Sequence, residues 1–391
     1  MKSFQQSELL SRLPAQFFAG LVKKVGRKIA EGHDVINLGQ GNPDKPTPKH
    51  IVDVLKEAAE NPSNHKYSPF RGKDELKEAA AMFYEREYGV KLDPEKEIAI
   101  LFGGKAGLVE IPQCLMNPGD TALVPDPGYP DYWSGVEMAG GSMEFMPLLE
   151  ENGYLPDYAQ IDQEALKKAK LMFLNYPNNP TGAVASLDFF NKTVELAGKN
   201  GMCVIHDFAY GAIGYEGKKP VSFLQAEGAK ECGIEIYTLS KTFNMAGWRV
   251  GFAAGNPSVI EAINLFQDHL YVSLFGAVQT AAAAALTGQQ DCVKELLQMY
   301  EGRRQAFINS FSAIGWKFQA PPGSFFAWLP VPEGFTSEDF SDYLLEHAHV
   351  AVAAGNGFGR YGEGYVRIGL LTEEKRIQEA AGRIAKLKLF K

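Results

Sequence analysis

Cysteine is scarce in this chain. Cys114, Cys203, Cys232 and Cys292 are scattered, and no two of them have the spacing of a metal site or a redox pair. That excludes a disulfide-built scaffold and points to reduced thiols in a cytoplasmic protein. The seven histidines do not cluster either. His347 and His349 are the nearest pair, with no cysteine beside them, so structural roles are expected and no metal. Basic charge is not in excess: 39 Lys and Arg stand against 47 Asp and Glu, a net charge of −8. The footprint for nucleic acid or for an anionic membrane is therefore missing. Long apolar runs are missing too. The longest run of small apolar residues, 280–286, is far too short to span a bilayer. The first residues have neither a long apolar stretch nor a small-residue cleavage site, so no signal peptide is read there. Low-complexity segments and internal repeats are absent.

What is there is a chain of 391 residues, 45% hydrophobic, enough for a large core and more than one domain. Ala19, Leu21, Val22, Val25 and Ile29 recur near helical spacing in a lead-in segment. A loop, INLGQGNPDKPTPKHI, follows, with helices expected after Pro48 and over 74–87. From residue 98 short apolar runs alternate with helical patterns, which predicts βα units and a mostly parallel sheet. The runs are 98–102, 121–124, 142–147, 171–174, 202–205, 234–239 and 250–254. A long helical reach from 259 to about 286 and a helix over 291–314 come next. The tail places strands at 316–318, 325–329, 350–353 and 365–370 around helices, a smaller α+β domain. The division expected is residues 1–45 joining the small domain, 46–285 as the large domain and 286–391 as the small one.

The ends of the runs carry the chemistry. After 98–102 comes Gly103-Gly104-Lys105, glycines opening a helix, where backbone N–H groups and the helix dipole hold anions. After 121–124 comes PDPGYPDY, with Tyr129 in a proline-stiffened loop and fit to stack on a flat ring. After 171–174 comes NYPNNPTG, where the Asn179 amide can donate to an oxygen. After 202–205 comes HDFAYG. Its Asp207, at the end of a buried strand, asks for a cation such as a protonated pyridine nitrogen, and Tyr210 is within reach of the same ligand. The stretch 238–251, TLSKTFNMAGWRVG, puts Lys241 at a strand's end, where open α/β sheets place ligands. A lysine there can form a Schiff base with an aldehyde cofactor. Thr238, Ser240 and Arg249 around it suit a phosphate. Taken singly, each feature has a plain structural account as a turn, a packed aromatic or a cap. Their order at successive strand ends does not arise by chance.

With these motifs the chain resembles the pyridoxal-phosphate-dependent aminotransferases of class I/II, fold type I, over essentially its whole length. The resemblance implies an α/β fold: a large domain with a mostly parallel sheet flanked by helices, plus a smaller α+β domain. It implies pyridoxal 5'-phosphate as cofactor, and an amino acid and a 2-oxo acid as substrates. By the same resemblance Lys241 is the catalytic lysine and Asp207 the partner of the pyridine nitrogen. Asn179 and Tyr210 are the donors to the ring oxygen, and Tyr129 is the stacking aromatic. Gly104, Lys105, Thr238, Ser240 and Arg249 fall on phosphate-binding positions. Tyr67, in HKYSPFRG, resembles the tyrosine that reaches the phosphate of a neighbouring subunit, which implies a homodimer with shared sites. Arg367, in YVRIGL, matches the arginine that grips the substrate carboxylate, and Gly41, in GQGNPD, the glycine that closes over it.

The substrate is less sharply marked. Residues 14–18 (PAQFF) and 323–328 (GSFFAW) are apolar and by the family's layout line the mouth of the cleft, which favours an uncharged side chain. The stretch 264–279 has no Arg or Lys, where some aspartate-specific relatives carry a distal-carboxylate arginine. In other relatives a lysine at the place of Lys105 binds that carboxylate, so dicarboxylic substrates stay open. Runs such as FFAGLVKKVGRKIAEGHDVINLGQGNPD and VAVAAGNGFGRYGEGYVRIGLL are similar to the methionine-salvage aminotransferases of Bacillus-type bacteria. That similarity implies amination of 4-methylthio-2-oxobutanoate to methionine. The alternatives are an aspartate-type or LL-diaminopimelate-type aminotransferase, a C–S β-lyase, and a non-catalytic cofactor-sensing module. The run GFGRYG at 357–362 fits a dinucleotide-binding pattern, but a strand-like run follows it where a helix is required, so that reading is rejected.

Overall fold

The computed structural model describes residues 3–13 and 17–390. Its twelve strands are β1 (Ile36–Asn37), β2 (Ile98–Leu101), β3 (Thr121–Asp126), β4 (Ser142–Pro147), β5 (Ala169–Leu174), β6 (Cys203–Asp207), β7 (Gly233–Thr238), β8 (Gly251–Gly255), β9 (Phe326–Pro330), β10 (Val350–Ala351), β11 (Ala353–Ala354) and β12 (Tyr365–Gly369). Seven of them form one sheet in the order β2-β8-β7-β6-β5-β3-β4. The fold is α/β, and the sheet is parallel except for β8, which runs against both its neighbours.

That one reversal matters for the site. The ends of β2, β3, β5, β6 and β7 and the start of β8 all lie on one edge of the sheet. Leu101 and Thr238 both sit opposite Gly251 in the register. The loops that leave these three residues, carrying Gly103, Lys241 and Arg249, are thereby brought side by side.

Apart from the edge strand β4, where Ser142, Glu144 and Phe145 are exposed, the sheet is buried on both faces, as its near-continuous apolar strands require. Ile98, Ile100, Leu123, Met172 and Leu174 belong to the apolar cluster on one side, where the helix Asp74–Tyr88 packs on β2 and the helix Gly276–Thr287 packs on that helix. Ala99, Leu101, Ala122, Val124, Leu171 and Phe173 pack on the other, with the helix Gly104–Leu115. A separate apolar cluster gathers β9, β12 and the helices Asp291–Ala313 and Glu374–Ala385. The lead-in segment belongs with it, because β1 pairs in parallel with β10.

Several expectations are corrected. No strand forms at 316–318; the Trp316 indole donates to the Pro330 carbonyl instead, and its ring stacks on Phe390. The run 350–353 is split between two sheets, because β10 pairs with β1 and β11 with β12. The long helix from 259 is interrupted: Pro257–Leu270 and Gly276–Thr287 are separate helices. In the lead-in helix Phe17–Ala30, Val22 and Ile29 are exposed, at 67% and 56%. The buried stripe runs through Val25 and Lys28, and Lys28 is held by Glu31 and Glu346. Charge pairing there overrides the apolar period.

Candidate active site

A cavity of about 440 Å³ opens along this sheet edge. Every site residue named from the sequence lines it except Tyr67, which is 86% exposed and lies outside it. Phe18 and Phe326 line it as well, while Pro14, Ala15 and Gln16 fall outside the described residues.

Lys241 sits in the short helix Leu239–Thr242, which Thr238 caps with its side chain. Its Nζ donates to the Gly41 carbonyl at 2.9 Å and stands 5.7 Å from the centre of the Phe325 ring. Burial, reinforced by the Arg367 and Arg249 charges, brings its pKa down to about 8. Asp207 ends β6 and is 6% exposed. Its Oδ2 accepts from the Tyr132 hydroxyl at 2.8 Å. Burial pushes its pKa up to about 6 against that hydrogen bond. Burial also raises the phenols of Tyr129 and Tyr210, which keeps both protonated as donors.

Arg367 lies on β12 and is 1% exposed. Its Nη1 donates to Asn179 Oδ1 at 2.8 Å and its Nη2 to the Gly39 carbonyl at 2.9 Å. Its Nε is buried with no partner among the described residues. The guanidinium packs on Phe326, 4.0 Å from the ring centre, and against Phe358 and Phe18. Burial lowers its pKa to about 10, well inside the charged range. A buried cation without a carboxylate partner is costly, and a ligand carboxylate would remove that cost. The loop 39–41 ties the two cations together, through Gly39 to Arg367 and Gly41 to Lys241.

At the other end, Gly103 precedes the helix Gly104–Leu115 with φ of +79°. A Cβ there would meet the Arg249 guanidinium at 2.4 Å and displace it, while the positive φ itself favours glycine. Arg249 is itself left-handed (φ +55°), a strain of about 1 kcal/mol. Its Nη1 donates to the Ala246 carbonyl at 2.8 Å. The Thr238 hydroxyl donates to Ser240 Oγ at 2.8 Å, which leaves the Ser240 proton to point elsewhere. Helix N–H groups, two hydroxyls and a guanidinium make this an anion site.

Sequence reading missed the supports. Tyr132 reads as an ordinary residue of the helix Asp131–Met138. Asn175 bonds both Asp207, through that residue's carbonyl, and the Asn179 backbone N–H. His206 Nε2 accepts from the Tyr176 N–H, so its proton is on Nδ1, donated to Glu235 at 2.6 Å. These bonds fix the ends of β5 and β6 against each other. The four cysteines are free, and burial raises Cys114 and Cys203 to about 12.

An amine of depressed pKa, a buried carboxylate and an unpaired arginine share this cavity with the anion site, the equipment for amino-group chemistry on a carboxylate-bearing substrate. A family model described as aminotransferase class I and II matches residues 33–384, and the chain belongs to that family. It is 69% identical over 387 residues to the L-glutamine--4-(methylsulfanyl)-2-oxobutanoate aminotransferase of Bacillus subtilis strain 168, covering 99% of this chain and 97% of that one. It is 46% identical over 383 residues to the LL-diaminopimelate aminotransferase of Moorella thermoacetica, covering 98% of each. The substrate-bound structure of BacF from Bacillus subtilis matches with a TM-score of 0.95 at 52% identity, covering 100% of this chain and 99% of that one. The protein is an aminotransferase with the fold-type I architecture.

Proposed function

We propose that this aminotransferase uses pyridoxal 5'-phosphate and aminates 4-(methylsulfanyl)-2-oxobutanoate to methionine in methionine salvage, with glutamine as donor. The observation that carries the reading is Arg367: a buried, acid-free guanidinium in one cavity with Lys241 and the apolar walls Phe18, Leu108 and Phe326. The 69% identical relative carries both substrates in its name.

The residues fit the cofactor. Asp207 is a buried carboxylate whose side-chain donor is a neutral hydroxyl, so a ring N–H⁺ would complete it. The glycine turn, Thr238, Ser240 and Arg249 suit the phosphate, Tyr129 the ring face, and Asn179 Nδ2 and Tyr210 the ring oxygen. When bound, pyridoxal phosphate supplies an aldehyde for amines to condense with and a ring that accepts the electron pair of the Cα–H bond. Arg367, steadied by Asn179, holds the substrate carboxylate and so decides which Cα bond is presented for cleavage. Lys241, whose depressed pKa makes its neutral amine accessible as pH rises through about 8, takes the Cα proton and later returns it. The carboxylate of Asp207 keeps its neighbour protonated throughout.

The division into residues 46–285 and 286–391, with 1–45 joining the second, is supported by an apolar cluster drawn mostly from residues 296–384 and by the β1–β10 pairing. A homodimer in the cytoplasm is part of the same reading. The dimer is supported by exposed Tyr67, Phe70, Leu270 and Phe275.

The test is a half-reaction screen. The protein is loaded with pyridoxal phosphate, single amino acids are added, and the absorbance change to the pyridoxamine form is followed. Fast conversion with methionine and glutamine and slow conversion with aspartate is the expected result. Conversion with aspartate or glutamate alone overturns the substrate. Pyruvate and ammonia released from cystathionine without a keto acid would make the protein a lyase.

A further inference from the structure

Lys105 is open to two roles in the sequence, phosphate ligand or receptor for an acidic side chain. Its surroundings narrow the choice. Lys105 Nζ lies 2.9 Å from Asp131 Oδ1. The lysine side chain is 49% exposed and lines the cavity, whereas the Asp131 side chain is 7% exposed. Of the cations lining the cavity, Lys105 alone is salt-bridged among the described residues; Lys241, Arg249 and Arg367 are not. Asp131 is the first residue of the helix Asp131–Met138, a place where a carboxylate is favoured by the helix dipole. The dipole explains an acid at this position. It does not explain why the acid is buried and turned onto the cavity's lysine.

We propose that Asp131 is a specificity-determining residue: by holding Lys105 in an ion pair it withdraws from the cavity the cation that an acidic substrate side chain needs. The proposal rests on the reading of this cavity as the substrate site. An acidic side chain entering there has to break the pair or place a second carboxylate beside Asp131. A carboxamide of the same shape meets a donor in Lys105 and an acceptor in Asp131 and breaks nothing. A thioether has no charge to satisfy. The pair therefore favours glutamine over glutamate, two side chains that differ in charge and hardly in shape, and it leaves methionine acceptable. A lysine that would otherwise mark a dicarboxylate enzyme is kept without acting as one.

The experiment compares wild type, Asp131→Asn, Asp131→Ser, Lys105→Met and the double variant Asp131→Asn/Lys105→Met. For each, the ratio of kcat/KM for glutamate to that for glutamine is measured within one preparation, so loss of folded or loaded protein cancels. The glutamate-to-glutamine ratio is expected to rise about fivefold in both Asp131 variants, the scale of one partly solvated charge, and to fall back in the double variant. Glutarate, which cannot react, gives a second readout. Its affinity by calorimetry should rise with Asp131→Asn and not with the double variant. A ratio that stays within about twofold in both Asp131 variants overturns the proposal, and so does an equal rise in the double variant. If that happens while the wild type still prefers glutamine and methionine, the proposal fails alone. A wild type that takes glutamate and refuses glutamine and methionine overturns the substrate reading and this proposal together.

Discussion

Lys241 and Asp207 are each held away from their solution behaviour by burial, in ways that can be measured separately. With its pKa brought from 10.5 to about 8, Lys241 becomes a neutral amine as pH rises through 8. Capture of pyridoxal phosphate by the apoprotein should accelerate over the same range, with a midpoint near 8; stopped-flow absorbance checks it, and a midpoint near 10.5 would mean a solvated lysine. Asp207 has the opposite displacement for a carboxyl, from 3.8 to about 6. The folded apoprotein binds that proton more tightly than the unfolded chain does. Stability is therefore lost as pH rises from 3.8 to about 6, and the cost persists above. Asp207→Asn should remove that slope and stabilise the apoprotein above pH 6 by about 2 kcal/mol, read by denaturant unfolding. The same variant should lose about 100-fold or more in turnover. At this scale most of the cavity was legible in the chain, because Gly-Gly-Lys, Asn-Pro-Thr-Gly, Asp-x-x-Tyr and Ser-Lys are local signatures. Tyr132 was not. It reaches Asp207 across 75 residues, and nothing near it in the chain announces that partner.

Among elements, the run GFGRYG shows what a rejected motif is for. Its glycines belong to turns that follow β11, and Asp126, at the end of β3, accepts from the N–H groups of Arg360 and Tyr361 at 3.0 Å each. Gly128 N–H bonds the Phe358 carbonyl at 2.7 Å. This joint holds Phe358 against Arg367. A Cβ at Gly359, where φ is +130°, would lie 2.1 Å from Asp126 Oδ1. Gly359→Ala should therefore destabilise by about 3 kcal/mol. Gly153→Ala, at φ +60° with open space, should cost about 1 kcal/mol. Equal effects in thermal unfolding would show that the joint carries no weight. The helix break at 271–275 was also hidden. Gln279 donates to the Leu274 carbonyl and accepts from the Lys73 N–H, and Tyr271 is tied to Glu110. Apolar periodicity runs straight through such a break, since side-chain bonds to backbone leave no trace in it.

For the whole molecule the open matter is what meets Tyr67. If a second copy of the chain covers the exposed Tyr67, Phe70, Leu270 and Phe275, light scattering should give twice the chain mass. Tyr67→Phe should then weaken cofactor retention by about fivefold, the worth of one hydrogen bond, without dissociating the dimer. A fully active monomer would remove Tyr67 from the site. Among the described residues no helix is long and apolar enough to cross a membrane.

The sequence by itself determined the α/β architecture, the order of the strand-end loops and nearly every residue that faces the cavity. Those features depend on periodicity and turn chemistry, which act over a few neighbouring residues. Tertiary structure alone decided that β8 runs antiparallel, which sets Arg249 beside Gly103. It also decided that 350–353 divides between two sheets, that Val22 and Ile29 face outward, and that Asp131 closes on Lys105. Each of these depends on which distant residue is available as a partner. Burial and charge pairing make that choice only when the whole chain is folded.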